Sequence, residues 1–272
     1  MSAAQGRALH QSSDHPRVFT DPLAVPLAKA AHSALGEAAG DTEVPLEARL
    51  FLAMRHRFAE DTLARRADGL AQVVVLGAGL DTFGLRNPYP GVVVYEVDHP
   101  DTQAWKRQRI TDAGIEVPDS LRFVAVDFES DSLPDRLCAA GFDAAAPTFF
   151  LWLGVVQYLS DAALDATLRF IAERPAPTSV VIDYGEPPSA LPPRRRAMVE
   201  VLATIMEGIG EPWLSLFTAN EIADRLAGFG LKVVEDLDWP AMIERFVPGS
   251  TAEDQVGAHV LLAERVGSSA HP

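Results

Sequence analysis

The sequence predicts an α/β protein built on a seven-stranded, mostly parallel sheet with an antiparallel last strand and a helical cap. Three observations carry this expectation. Seven apolar runs recur along the chain: QVVVL at 72–76, VVVYEVD at 92–98, LRFVAVD at 121–127, PTFFLWL at 147–153, SVVIDYG at 179–185, LKVVEDL at 231–237 and HVLLAER at 259–265. Helical patterns separate most of them, at 100–113, 131–140, 161–174 and 219–229. A turn with two glycines, Gly77 and Gly79, follows the first run directly.

Most of the runs are continuous rather than alternating, and they are rich in Val, Ile and Phe. Strands read this way when helices cover both faces of the sheet. Alternation of strand and helix implies parallel neighbours joined by right-handed crossovers. The last two runs are joined by a long connection without an obvious full helix, so a closing antiparallel hairpin is expected there. Residues 1–71 precede the first run and read as mostly helical. Residues 186–218 begin EPPSALPPRRR and continue as the helical stretch AMVEVLATIMEGIG. Insertions at the carboxyl end of a parallel sheet lie over the ligand crevice. Both segments are therefore expected to form a cap, with 1–272 as a single domain. The tail 267–272 is expected to be frayed.

The formal net charge of −15 argues against nucleic acid or an anionic membrane as partner, since both need a basic footprint. The single cysteine, Cys138, excludes a disulfide framework within the chain and a cysteine-cluster metal site, and fits a reducing compartment. The N-terminus shows no apolar h-region, and no apolar run approaches the ~20 residues of a membrane span. A cytoplasmic protein is the expectation; oligomeric state is open.

The glycine turn asks for a nucleotide-like ligand. Glycines there allow a tight turn and close approach of ligand to backbone. A dinucleotide fingerprint would read G-x-G-x-x-G, but here Gly77, Ala78 and Gly79 are followed by Leu80, Asp81 and Thr82, and the next glycine is Gly84. Asp81 and Thr82 stand where a pyrophosphate would need free N–H groups and no added negative charge. No Gly-Lys-Ser/Thr follows, so a phosphate loop is excluded. A ligand with a base and a sugar but no phosphate avoids the conflict, and S-adenosylmethionine (SAM) is such a ligand. Asp98 ends the second run 19 residues after Gly79, where acids bind ribose hydroxyls. Glu96 lies on the same face by alternation and can share or replace that role; capping of the following helix is the alternative for both. Asp127 ends the third run, near an adenine or as a helix cap. In EARLFLAMRHRFAEDTLARR, Phe51, Arg55, Phe58 and Thr62 share one helical stripe. Arg55 thus sits on an apolar face and needs an anion, either Asp61 or Glu60 within the helix or the carboxylate of the cofactor's amino-acid end. Arg57 faces away and reads as solvated.

With these residues placed, the chain resembles the leucine carboxyl methyltransferase family, and more closely its bacterial branch of SAM-dependent methyltransferases. The resemblance rests on RVFTDPLA at 17–24, RHRFAED at 55–61, VVVLGAGLDT at 73–82, YEVDHPDTQAWKR at 95–107, VAVDFE at 124–129, FFLWLGVVQYL at 149–159, VVIDY at 180–184 and GEPWLSLF at 210–217. It implies a Rossmann-like methyltransferase fold with SAM as cofactor and S-adenosylhomocysteine as product. By position, it implies that Arg55 holds the SAM carboxylate, that Gly77 opens the cofactor loop, that Asp98 binds ribose, and that Asp127 and Phe128 flank the adenine. Leu153 stands where the eukaryotic branch, which methylates the C-terminal leucine of a protein phosphatase, has a glutamate. That departure, with the short 186–218 cap, turns the expectation toward a small-molecule acceptor, such as one of secondary metabolism.

The expected reaction is O-methylation, at a carboxylate by preference. A carboxylate acceptor is ionised near neutral pH and needs no general base, so the enzyme mainly aligns the reactants and excludes water. A phenol or alcohol would need a base, with His99, His259, Asp183 and Tyr184 as candidates that also have structural readings. Trp152, Tyr158 and Trp213 are candidate acceptor contacts, with core packing as the alternative. The basic run Arg194, Arg195 and Arg196 can draw in an acidic acceptor or simply be solvated. A SAM-binding protein without catalysis and a nucleotide-dependent oxidoreductase are the other readings; the turn chemistry counts against the last.

Overall fold

A computed structural model describes residues 2–35, 44–175, 177–208, 210–250 and 257–265. Helices α1 (Ser2–Ser13), α2 (Ala24–Leu35) and α3 (Leu46–Ala64) come first. The strands are β1 (Gln72–Leu76), β2 (Val93–Asp98), β3 (Leu121–Ala125), β4 (Thr148–Trp152), β5 (Thr178–Gly185), β6 (Leu231–Leu237) and β7 (Ala258–Arg265). Between them lie α4 (Pro100–Asp112), α5 (Leu133–Ala139), α6 (Asp161–Ala172), α7 (Pro193–Gly208), α8 (Ala219–Gly228) and α9 (Trp239–Phe246).

The sheet order is β3-β2-β1-β4-β5-β7-β6. Strands β1 to β5 pair in parallel, and β7 runs antiparallel to both β5 and β6. All seven expected strands are present, with small shifts at their ends. Continuous apolar runs become strands because both faces are dry: every residue of β1 and β4 is buried. On one face Leu76, Trp152, Ile182 and Tyr184 pack with Leu137, Leu164 and Leu226. On the other, Val73, Val75, Leu151 and Val181 pack with Phe58, Leu63 and Met242. Full burial of one such Val, Leu or Phe contributes roughly 1.5–3 kcal/mol.

Side-chain caps start the helices. The His99 side chain accepts from Asp101 N at the head of α4, where Pro100 takes the first turn, and Thr218 and Glu221 form a reciprocal capping box on α8.

The link between β6 and β7 corrects the expectation of a connection without a full helix. Helix α9 lies there, capped by Asp238, whose side chain accepts from Ala241 N at 2.9 Å, with Pro240 in its first turn. Its short apolar face, Trp239 and Met242, is buried in the core cluster that holds Phe58. Eight residues are too few to show a periodicity, so tertiary packing rather than pattern makes this helix.

The two segments expected to form a cap behave differently. Helix α1 packs on α2 and α3, and both α1 and α3 reach the carboxyl end of β1. In 186–218, the amides of Leu214 and Ser215 bond to the Gln157 carbonyl, and Phe217 N to Gly185 O. Helix α7 leaves Val201, Leu202 and Ile205 exposed. Arg196 donates to the carbonyls of Pro188 and Leu191, so part of the basic run ties down the start of α7. The Arg194 side chain and the tail 267–272 lie outside the described residues. Among the described residues, no helix is long and apolar enough to cross a membrane.

Candidate active site

Strand order reverses between β1 and β4, and the crevice outside their carboxyl ends is where ligands bind in open α/β sheets. A cavity of about 200 Å³ lies there, floored by the 77–81 turn and walled by Arg7, Arg55, His56, Trp105 and Leu153. Gly77 and Gly79 have φ of 63° and 45°, the left-handed region that disfavours a side chain. A Cβ on Gly77 would stand 2.3 Å from Val155 Cγ2, whereas nothing lies within 4 Å of a Cβ on Gly79, which faces open space.

The polar groups of this turn are already engaged. Gly79 N donates to the Asp98 carboxylate, and Asp81 N to Ala78 O at 2.7 Å. Arg7 donates to the Leu80 carbonyl, and Lys106 Nζ to the Asp81 carbonyl at 2.7 Å. The Asp81 carboxylate meets His56 Nε2 at 3.1 Å and accepts from Phe83 N at 2.6 Å. Burial pushes the Asp81 carboxyl up, but the His56 hydrogen bond and charge, with Arg7 and Lys106 nearby, outweigh it and hold the group well below the usual carboxylate range. Burial in turn lowers the His56 imidazole below its ordinary range, against the pull of Asp81, so Arg7 and Lys106 are the fixed positive charges beside this carboxylate. The turn is unsuited to a pyrophosphate for a firmer reason: its N–H groups at 79, 81 and 83 already have acceptors.

Arg55 projects from α3 and is 6% exposed. Its Nη1 donates to Asp183 at the end of β5, and the other oxygen of Asp183 accepts from Gly154 N. Neither helix-internal partner is used, since Asp61 pairs with Arg57 at 2.7 Å and Glu60 with Arg86. The Phe51 ring lies 5.6 Å from the Arg55 guanidinium carbon. Gly154, at φ 74°, leaves room for the guanidinium: a Cβ there would be 3.0 Å from Arg55 Nη2. The Nε atoms of Arg55 and of Arg7, which is 5% exposed, are buried without a hydrogen-bond partner. The Arg7 Nε lies 3.7 Å from Asp21 Oδ2 in an ion pair, which leaves the Arg55 Nε as the buried donor with no acceptor beside it, a costly arrangement.

Asp98 stands beside the turn at the end of β2, partly buried. Burial raises its carboxyl above the usual range, against the pull of the Gly79 and His99 N–H groups. Glu96 corrects the expectation of a shared role: it is 1% exposed and paired with Lys106 at 2.6 Å beneath the turn. The Val126 N bond to Asp98 O, 2.8 Å, brings the end of β3 next to Asp98. Just beyond, Asp127 accepts from Glu129 N and Ser130 Oγ at 3.0 and 2.8 Å, closing a local turn, while Phe128 packs partly buried against the core. Neither lines the cavity.

Trp152 is fully buried and faces the core opposite the cavity, because Leu151 and Leu153 take the cavity side of β4 by alternation. It occupies a packing position. Tyr158 lies against Trp213 and Gln157, close enough to feel the Arg55 charge; burial pushes its hydroxyl up. The base candidates are engaged elsewhere. His99 caps α4, Asp183 holds Arg55, and His259 contacts the Tyr184 hydroxyl at 3.0 Å and Asp236 at 3.1 Å. His56 lines the cavity with Nδ1 donating to Leu52 O at 2.7 Å and Nε2 against Asp81, so both ring nitrogens are committed.

Sequence reasoning did not single out Arg7, His56 or Lys106. Only Lys106 left a usable signal: it shares a helical stripe with Gln103 and Ile110, all of them buried.

Known proteins fit this architecture. The leucine carboxyl methyltransferase family profile matches residues 1–172. A Bacillus subtilis protein carrying the provisional name of S-adenosyl-L-methionine-dependent methyltransferase is 37% identical over 174 residues, 62% of this chain and 56% of its own length. The chain thus matches little more than half of that relative. A similarly named protein of Mycolicibacterium smegmatis is 30% identical over 94% of this chain and 91% of its own. Among solved structures, a DUF574 family protein from Streptomyces avermitilis superposes with a TM-score of 0.58 at 17% identity, covering 97% of both chains. The magnesium protoporphyrin IX methyltransferase of Synechocystis, solved with bound S-adenosylhomocysteine, gives 0.50 at 12% identity over 98% of this chain and 100% of that one. These two structures share the fold. The sequence matches say more, and by them the chain belongs to the leucine carboxyl methyltransferase family.

Proposed function

We propose that this protein is a SAM-dependent O-methyltransferase that forms a methyl ester on the carboxylate of a small-molecule acceptor. The residues around the crevice fit SAM. The Arg55 guanidinium, which lines the cavity, suits the carboxylate of its amino-acid end, and Arg7, ion-paired to Asp21, stands on the same wall. The open face at Gly79 admits the ligand against the backbone, with Gly77 and Ala78 completing the floor. Asp98 retains lone pairs for ribose hydroxyls. Asp127 and Phe128, beside Asp98 at the end of β3, suit the adenine edge. When bound, SAM supplies an electrophilic methyl group on a sulfonium.

One observation carries the choice of a carboxylate. Among the described residues, each titratable side chain in the cavity wall is already engaged, Arg55 by Asp183, and His56, Asp81 and Arg7 by one another and by the turn. An ionised carboxylate needs no proton removed, so a wall without a free base suffices. The chain's task is then alignment and exclusion of water. Tyr158, which lies against Trp213 and feels the Arg55 charge, is with Trp213 a proposed acceptor contact, although neither lines the cavity.

Labelled SAM incubated with a small-molecule extract and the protein should label an acidic compound, identified by mass. The labelled methyl should leave as methanol under mild alkali, as an ester does. An alkali-stable product would refute the carboxylate. SAM and S-adenosylhomocysteine should raise the melting temperature; stabilisation by NAD(H) alone would overturn the whole reading.

A further inference from the structure

Lys106 is 2% exposed, and an ammonium is expensive to bury. A methionine of similar length would fill the space without that cost. What lysine adds is reach to two acceptors on two different elements. Its Nζ donates to the Asp81 carbonyl on the turn at 2.7 Å and to Glu96 Oε2 on β2 at 2.6 Å. It springs from α4, whose Thr102 and Trp105 line the cavity. Gly84 makes room for the pair, since a Cβ there would meet Glu96 Oε1 at 2.7 Å. Two residues further along β2 is Asp98, with Oδ2 on Gly79 N and Oδ1 on His99 N. The turn and the acid therefore share one support.

We propose that Lys106 is a positioning residue of the cofactor site: from beneath, it fixes the turn against β2 and supplies the positive charge that the turn carbonyl, Glu96 and Asp98 all face. The proposal rests on Asp98 binding the ribose. The charged groups around Asp98 are Lys106 from α4, His99 next to it and Glu96 on its own strand, which in turn couples to Asp81. Burial pushes both Asp98 and Glu96 up, and Lys106 opposes the rise in each. Loss of Lys106 leaves a turn carbonyl without its donor and lets Asp98 protonate at higher pH.

The test is calorimetric titration with S-adenosylhomocysteine across pH, alongside melting temperatures. Lys106→Met should weaken binding near neutral pH by about tenfold and move the acidic fall-off in affinity up by about one pH unit. Lys106→Arg should restore the fall-off, because it keeps the charge. Where Lys106→Met does not fold, the double variant Lys106→Met with Glu96→Gln removes both buried charges. It should fold and still bind about tenfold more weakly, since the Asp81 carbonyl remains without a donor. Wild-type affinity in a folded Lys106→Met or double variant overturns the proposal, as does an unmoved fall-off in Lys106→Met. Asp98→Asn separates the two layers. If it weakens binding while Lys106→Met does not, only the role of Lys106 fails. If it leaves binding unchanged, the ribose assignment fails and the proposal falls with it.

Discussion

A cation on an apolar helical stripe must find an anion, and Arg55 is the residue where that rule had most consequence. Its stripe with Phe58 and Thr62, both fully buried, was readable from spacing alone. Its partner was not, because Asp183 lies 128 residues away and only the sheet brings the two together. The pair divides two effects that substitution can separate. Arg55→Ala should weaken SAM binding by tenfold or more, on the order of 1.4 kcal/mol. Asp183→Asn keeps the Arg55 side chain but leaves a buried guanidinium without its counter-charge, so it should cost about 3 kcal/mol of folding stability. Calorimetry with SAM and urea unfolding read the two separately. Trp152 teaches the converse: a large aromatic near a strand end suggested a ligand wall, but one step of alternation turned it into the core.

At the scale of the element, the 77–81 turn is held from three sides, by Arg7 of α1, His56 of α3 and Lys106 of α4. A strand-to-helix turn with that much support is fixed before any ligand arrives, which lowers the ordering cost of binding. Its two glycines serve different ends. Gly77→Ala meets both a positive φ and Val155, and should destabilise by about 3 kcal/mol. Gly79→Ala meets the strained φ but no neighbour, and should cost only about 1 kcal/mol while blocking the cavity side of the turn. Unfolding curves and SAM titrations on both variants should therefore rank oppositely to a simple loss of stability. The strands were legible because burial on both faces leaves no polar alternation. Helix α9 was not, since its eight residues were shaped by the Asp238 cap and by the core around Phe58 rather than by period.

For the molecule as a whole, acidity reaches the site through two carboxylates that shift in opposite directions. Burial raises the Asp98 carboxyl above the ordinary value of about 3.9. In the proposed ribose role its ionised form is the acceptor, so cofactor affinity should fall as pH drops through that raised value, and earlier than for a solvated aspartate. Asp81 is held well below the range by His56, Arg7 and Lys106 against the effect of burial. A depressed folded-state value contributes stability that is fully present above the unfolded value of about 3.9 and is lost as pH falls below it. On acidification, binding should therefore weaken before the fold does. Affinity and melting temperature followed together from neutral to pH of about 4 test the order; simultaneous loss would contradict it.

The sequence by itself determined the α/β class, the seven strands and their parallel core, the glycine turn, the acid after β2 and the buried arginine of α3. Each is a local matter: apolar continuity, residue spacing, or a backbone conformation that favours one residue type. Tertiary structure decided everything that depends on which distant groups meet. It paired Arg55 with Asp183, sank Glu96 onto Lys106 beneath the turn, committed both nitrogens of His56 and set α1 against the cavity. Buried charges announce that they need partners, but the partner is chosen by the fold, because a chain crossover places side chains together with no trace in the spacing between them.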